Sequence, residues 1–263
     1  MTLQIRLFQQ LEVRNGDGSL LDMGSPTTRS LFAYLVVNHA QSIDRRRLAF
    51  QFWPRSSEQA ARRNLRQYLH RIRRALEPVD PNGQFLNTEG NDVSIRLPEG
   101  CFLDVIEFQT AVTPPHTDLP YAIELYRGDL LEDIYEDWVV PERERLAQRY
   151  REALLHLIDQ KEAAQQYPEA IQYARRFLAA DPLLERGHVR LMQLYYAAGD
   201  RARVKQQYEQ LTAVLKKELA VEPMPETTAI FMDMTAGNYS SLSQPQPIPP
   251  DPAIKTAVHL KQP

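Results

Sequence analysis

The chain has 263 residues, of which 43% are hydrophobic and 25% are charged, and its formal net charge is −3. These values are typical of a globular protein with one large or two small domains, and they exclude wholesale disorder. No apolar run approaches the roughly 20 residues that a membrane span needs, and the first residues lack a signal-peptide pattern. Because the chain has a single cysteine, Cys101, it cannot form an internal disulfide, which fits the reducing cytoplasm. Together with the lack of a long apolar run, this predicts a cytoplasmic protein without membrane contact.

Positive charge is concentrated in the first part of the chain. Residues 1–100 contain 14 arginines, no lysine and 10 acidic residues, whereas residues 101–263 carry a net charge of −7. Within residues 45–74, ten arginines stand against a single acid, Glu58. Such a segment in a slightly acidic protein indicates binding to a polyanion.

The first hundred residues predict a small α+β domain. Short strands are predicted over residues 3–7, 11–13 and 20–23, where apolar and polar residues alternate or turn signals flank the run. Ser25-Pro26, Asp44 and Ser57 are helix-start signals, and the helices that follow are expected to end near residues 39, 53 and 76. Strands over residues 85–88 and 93–97 then flank a hairpin tip. The predicted order is strands, three helices and a β-hairpin.

Only helices are predicted between residues 119 and 238, over residues 119–132, 138–166, 168–180, 183–198, 200–219 and 226–232. A self-similarity of 34 residues aligns Leu157 with Leu191 and Phe177 with Leu211, which is the period of tetratricopeptide repeats. A generic helical bundle is the alternative. Proline is frequent in residues 239–263, which predict a linker or tail. The predicted domains are therefore 1–100, 101–238 and 239–263.

The helix predicted over residues 57–76 separates apolar from basic side chains. Its apolar stripe consists of Ala61, Leu65, Leu69, Ile72 and Leu76. The opposite face carries arginine, glutamine and histidine, and no acid occurs between Glu58 and Glu77. A solvated surface helix would mix both charge signs, whereas an arginine-rich face suits the major groove of DNA, where arginine and glutamine recognise base edges. Aromatic residues of the preceding helix, Phe50, Phe52 and Trp53, are predicted to lie in the core.

These patterns give a set of predicted DNA contacts. Base-reading contacts are predicted for Arg63, Arg66, Gln67 and His70. Phosphate contacts are predicted for Arg45, Arg46, Arg62, Arg71 and Arg74.

Two motif sets resemble known families. Residues 45–54 (RRRLAFQFWP) and 60–76 (AARRNLRQYLHRIRRAL) resemble the OmpR-type winged-helix domain, with the second as its recognition helix. LYRGDLL at 125–131, ERERL at 142–146 and ELAVEP at 218–223 resemble the bacterial transcriptional activator domain. Their order is similar to that of the SARP-type transcriptional regulators. The resemblance implies a winged-helix domain followed by an all-α, tetratricopeptide-like domain.

The resemblance also implies a function. Regulators of this type bind double-stranded DNA at direct repeats near a promoter, and activators among them recruit RNA polymerase, often through its sigma factor. The helical domain is expected to contribute to regulation or to a homodimer. The wing departs from the pattern, because Glu89 and Asp92 lie near its tip where a basic residue would suit DNA. Asn87, Thr88 and Asn91 remain as candidates for wing contacts.

Two other classes of function are weaker interpretations. The chain has no Walker loop, no G-x-G-x-x-G and no G-x-S-x-G, and its histidines have no metal-ligand spacing, so we expect no enzyme, no cofactor and no metal site. A tetratricopeptide-type interaction scaffold, whose basic helix binds an acidic partner, is the stronger alternative. Loss of duplex binding with rising salt would favour DNA, and a salt-independent peptide complex would favour the scaffold.

Overall fold

The structure, a computed structural model, describes residues 3–88, 90–115 and 117–239. The chain divides into two compact units, Met1–Leu157 and Ile158–Pro263. This division differs in position from the expected boundary at residue 100, so the limits 1–100 and 101–238 stay predictions. The predicted tail lies outside the described residues except for Tyr239.

The N-terminal unit begins with short strands and three helices. In chain order these are β1 (Gln4–Arg6), β2 (Glu12–Arg14), α1 (Pro26–Val37), β3 (Ile43–Asp44), α2 (Arg45–Phe52), α3 (Glu58–Leu76), β4 (Leu86–Asn87) and β5 (Asp92–Ile95). The strand predicted over residues 20–23 is wrong, because only Leu20 forms a bridge, to Arg14, and the next residues make no ladder.

The rest of this unit contains one further strand and three further helices. They are β6 (Phe102–Leu103), α4 (Asp104–Ala111), α5 (Leu119–Leu125) and α6 (Val140–Ala163), whose C-terminal end lies in the second unit. The sequence did not predict β6 or α4. The helix expected over residues 119–132 ends at Leu125, because the chain from Asp129 onwards bonds to the strand region instead.

Two three-stranded sheets frame the N-terminal unit. In the first, with order β2-β1-β6, Ile5 is antiparallel to Val13 on one side and parallel to Leu103 on the other. In the second, with order β3-β5-β4, the two-residue strand β3 pairs through Ile43 with Val93. The second sheet is the wing, and it joins the start of α2 to the hairpin that follows α3.

Residues beyond 100 complete the first sheet. The buried carboxylate of Asp104 accepts backbone N–H bonds from Leu7 at 2.9 Å, Phe8 at 3.1 Å and Val105 at 2.8 Å. Burial raises the pKa of this carboxyl to about 6, although the three N–H donors favour its charged form. Further along, the backbone N–H of Leu131 donates to the carbonyl of Leu7 at 2.9 Å. The N-terminal strand is therefore held by segments 97 and 124 residues away.

Helical hairpins form the second unit. Its helices are the end of α6, α7 (Tyr167–Ala180), α8 (Glu185–Ala197), α9 (Arg201–Leu219) and α10 (Pro225–Ala236). The starts of α7 and α9 are 34 residues apart, as are the ends of α6 and α8. This spacing confirms the predicted period. Helix α8 packs against α7 and α9, and α10 packs against α8 and α9. Gly187 permits a close approach, since a Cβ there would lie 3.0 Å from Leu178 Cδ1.

In the part of the chain that the structure describes, every helix is too short or too polar to cross a membrane.

Candidate nucleic-acid interface

The start of α2 is fixed beside the wing. Strand β3 ends at Asp44, whose side chain caps α2 by accepting the N–H of Arg47 at 2.9 Å. The next backbone N–H, of Arg45, donates to the carbonyl of Asn91 at 2.8 Å. The three arginines at the start of α2 therefore lie next to the hairpin that follows α3. Their charge opposes the dipole of α2, a cost that a neighbouring anion would offset.

Helix α3 has the two faces that its sequence predicts. The hydroxyl of Ser57 accepts the N–H of Ala60 at 3.3 Å, and the helix runs 19 residues to Leu76. All five residues of the apolar stripe are buried. Glu58 and Gln59 are exposed in the first turn, and the exposed residues beyond it are Arg62, Arg63, Arg66, Gln67, His70, Arg71, Arg73 and Arg74.

Aromatic contacts hold α3 against α2. Trp53 packs against Tyr68 of α3 with ring centroids 5.3 Å apart, and Phe52 packs against Trp53 at 5.9 Å. Phe52 and Trp53 are partly buried against the core, as expected. The prediction that Phe50 lies in the core is wrong, because this side chain is 70% exposed. Leu48 and Ala49 turn to the core instead, and the helical rotation places the next residue outward.

The four predicted base-reading residues line one groove of about 510 Å³. Its lining consists of Arg45, Arg63, Arg66, Gln67, Leu69, His70, Arg73 and Thr88. No described residue of this lining is acidic. The groove therefore offers guanidinium, amide and imidazole groups, with Leu69 as the buried floor. This is a donor-rich surface of the kind that binds phosphates and base edges.

Four of the five arginines that are predicted to contact phosphate lie outside the groove. Arg46 and Arg62 both ion-pair with Oε1 of Glu58, at 3.3 Å and 2.7 Å. The guanidinium of Arg71 lies over the ring of Tyr68, 4.8 Å from its centroid. Arg74 is exposed near the end of α3. Only Arg45 among the five lines the groove itself.

Sequence reasoning missed Arg73 as a site residue. Its guanidinium donates to Thr88 Oγ1 at 3.0 Å and to the carbonyl of Leu86 at 3.4 Å, so it joins α3 to the wing. The spacing of Arg63, Arg66, His70 and Arg73 follows one helical face, and this signal could have included it.

The wing candidates lie in different positions. Thr88 lines the groove, whereas Asn91 and Asp92 are exposed at the other side of the hairpin tip. Asn87 is an exposed residue of β4. Glu89, which the sequence places at the tip, lies outside the described residues.

Side chains that could hold a metal ion are not clustered in the described parts of the chain. No three His, Cys, Asp or Glu side chains there are arranged to hold a metal ion. Burial raises the pKa of the Cys101 thiol to about 11, so the thiol is protonated at neutral pH.

Comparisons with known proteins agree with these features. The family described as bacterial transcriptional activator domain matches residues 109–234. The chain is 26% identical to the regulatory protein AfsR of Streptomyces coelicolor over 221 residues, which are 80% of this chain and 22% of AfsR. It is 25% identical over 244 residues to the transcriptional regulatory protein MoaR1 of Mycobacterium tuberculosis, covering 87% of this chain and 78% of MoaR1.

A solved structure has the same fold. It is Mycobacterium tuberculosis EmbR in complex with a low-affinity phosphopeptide, with a TM-score of 0.67 and 19% identity over 90% of this chain and 66% of EmbR. The predicted fold class is confirmed, and so is the resemblance to SARP-type transcriptional regulators. The chain spans about a quarter of the length of the AfsR proteins that it matches.

Proposed function

We propose that this chain, a relative of the SARP-type regulators, is a sequence-specific DNA-binding transcriptional regulator. In this proposal residues 1–100 contain the DNA-binding surface and residues 101–238 control or assemble the protein. Helix α3 enters the major groove, with Arg63, Arg66, Gln67 and His70 at base edges. The protein acts as an activator at direct repeats near a promoter, where it recruits RNA polymerase through the sigma factor.

The groove that contains the base-reading set is the observation that carries this proposal. Those four side chains lie on one exposed face of a capped 19-residue helix, and Arg45 and Arg73 flank them. A major groove about 12 Å wide accommodates one helix, and each bidentate base contact contributes about 1–3 kcal/mol of discrimination. The −7 charge of residues 101–263 disfavours a duplex, so the basic surface belongs to the N-terminal part.

Selection of bound sites from random DNA by the full chain tests sequence specificity and half-site arrangement together. We expect an enriched motif made of two like-oriented half-sites about 10–10.5 bp apart, one helical turn. A perfect palindrome would indicate a two-fold dimer instead of a tandem arrangement. If no motif is enriched at moderate salt, specific DNA binding is contradicted and the scaffold interpretation is favoured.

Substitutions on α3 then test the base-reading assignment. Arg63→Ala and Arg66→Ala should each weaken binding to the selected site by about 1–3 kcal/mol and relax the preference at one base position. Arg127→Ala removes an exposed arginine outside the groove and serves as the matched control. Unchanged affinity in both α3 variants would show that another face of the protein binds the bases.

Activation requires its own experiment. A reconstituted promoter that carries the selected site should give more transcript with the protein than without it, and the increase should depend on RNA polymerase containing the cognate sigma factor. Tight binding without additional transcript would contradict the activator assignment and leave the DNA-binding proposal intact. Sedimentation of the DNA complex would show whether two copies bind as a homodimer or independently.

A further inference from the structure

The second unit contains a cleft that the DNA-binding proposal does not use. It has a volume of about 410 Å³ and lies between the end of α7, helix α8 and one face of α9. Apolar side chains such as Leu178, Leu191 and Val214 form part of the wall. The polar part consists of Arg175, His188, Tyr195, Arg203, Gln206, Gln207 and Gln210. None of the described residues that line the cleft is acidic.

A buried hydrogen-bond chain shapes one wall of the cleft. Nε2 of His188 lies 3.0 Å from the carbonyl of Pro182, which can only accept, so Nε2 carries the hydrogen. Nδ1 of His188 therefore accepts from the side-chain amide of Gln207, at 2.7 Å. His188 and Gln207 are 1% and 6% exposed, so their positions are fixed before any ligand binds. A fixed polar wall lowers the ordering cost of binding.

The two arginines of the cleft are arranged around one tyrosine. Nε and Nη2 of Arg175 donate to the hydroxyl of Tyr195 at 3.2 and 3.0 Å. The guanidinium of Arg203 lies 5.7 Å from the centroid of the same ring, and its Nε makes an exposed ion pair with Asp200 at 3.3 Å. Arg175 makes no ion pair with a described residue. Arg190 of the same unit, in contrast, is neutralised by both Asp159 and Glu162.

The length and pattern of α9 fit an extended chain. Arg203, Gln207, Gln210 and Val214 follow one helical face over about 16 Å, at 1.5 Å per residue. This length corresponds to about five residues of extended peptide. Glutamine amides can donate to and accept from a peptide backbone, and an arginine with free donors can bind a carboxylate. Stacked helical hairpins commonly present such concave surfaces to partners.

We propose that this cleft binds an extended segment of a partner protein, with a glutamate or aspartate side chain held between Arg175 and Arg203. Gln206 and Gln210, both exposed, contact the backbone of the segment, and the apolar wall accepts a neighbouring side chain. The absence of acidic groups from the described lining is the complementarity that selects an acidic segment. None of its lining residues belongs to the surface proposed to bind DNA.

The test uses the full chain and a phage library of random dodecapeptides, followed by fluorescence anisotropy with the enriched peptide. We expect enriched peptides to share an acidic residue, and its replacement by Gln or Asn to weaken binding at least about tenfold. Arg203→Gln should weaken binding to a similar extent, whereas Lys205→Gln, the loss of one exposed charge from the same helix, should not. Basic or absent consensus sequences, or equal affinity of both variants, would overturn the proposal.

A second pair of variants avoids any loss of an arginine contact. Gln210→Glu introduces a carboxylate into the cleft and should abolish binding of the acidic peptide, whereas Gln172→Glu makes the same change on an exposed part of α7 outside the cleft. Both variants should keep the affinity of the parent chain for its selected DNA site. Retained peptide binding by Gln210→Glu would refute the assignment of the cleft.

Discussion

The carboxylate of Glu58 restrains two of the arginines that are proposed to contact phosphate. It lies in the first turn of α3, 2.7 Å from Nη2 of Arg62 and 3.3 Å from Nε of Arg46. All three side chains are more than half exposed. DNA must compete with this carboxylate for both guanidinium groups. We therefore predict that Glu58→Gln, which keeps the shape of the side chain, increases affinity for DNA.

The size of the increase follows from the two ion pairs. Exposed pairs of this kind contribute about 0–1 kcal/mol each, so releasing both arginines should favour DNA by about 1 kcal/mol, or about fivefold. Two phosphate contacts freed from competition should make the slope of log affinity against log salt steeper by about one to two. The folded protein should lose about 1 kcal/mol, because the ion pairs and a favourable interaction with the helix dipole are removed.

Fluorescence anisotropy with a random-sequence 20-bp duplex at about 50, 100 and 200 mM salt measures both quantities. Glu77→Gln is the matched control, because Glu77 is an exposed acid at the other end of α3. It should change affinity much less than Glu58→Gln. If Glu58→Gln binds the duplex no more tightly than the parent chain, Arg46 and Arg62 do not contact phosphate and the reasoning fails.

Three further predictions concern stability. Burial raises the pKa of Asp104 to about 6, so the folded state binds a proton at this carboxyl more readily than the unfolded chain does. The free energy of unfolding should therefore rise as the pH falls from about 6 to 4. Urea unfolding followed by tryptophan fluorescence should show this pH dependence, and Asp104→Asn should remove it. Gly128→Ala should lower the free energy of unfolding by about 1–2 kcal/mol, and with it the urea midpoint, because its Cβ would lie 2.5 Å from Glu132 Oε1 and 2.7 Å from Gln9 Cγ. Gln207→Leu should lower the free energy of unfolding by about 1–3 kcal/mol, and with it the thermal midpoint, since His188 Nδ1 loses its donor. An unchanged midpoint would show that solvent replaces the amide.

The local patterns of the sequence predicted helix α3 well. Helix α3 has a cap at Ser57, a regular apolar stripe and a stop near Pro78, and each of these signals depends only on neighbouring residues. The 34-residue period was equally informative, since repeated helices impose repeated spacings. These features are confirmed because the same local preferences that reveal them in sequence also stabilise them in the fold.

Elements that depend on distant partners were less predictable. Strand β6 has two residues, and its pairing with β1 joins Ile5 to Leu103, so no local periodicity marks it. The same holds for the groove, where Arg73 becomes a lining residue because the hairpin brings Thr88 to its guanidinium. Phe50 was misassigned because it belongs to an aromatic-rich stretch with Phe52 and Trp53, which suggests burial, whereas the rotation of α2 exposes it.

The sheet that joins β1 to β6 also limits where relatives with this fold can exchange segments. A chimaera joined at residue 100 would pair β1 and Leu7 of one parent with the β6 strand, the Asp104 carboxylate and the 129–132 segment of another. Each foreign partner would have to present the same register, because the donors of Leu7 and Phe8 are buried. A junction within α6, near Leu157, would keep the whole set from one parent. Recombination between relatives, natural or engineered, should therefore yield folded hybrids at the second junction more often than at the first.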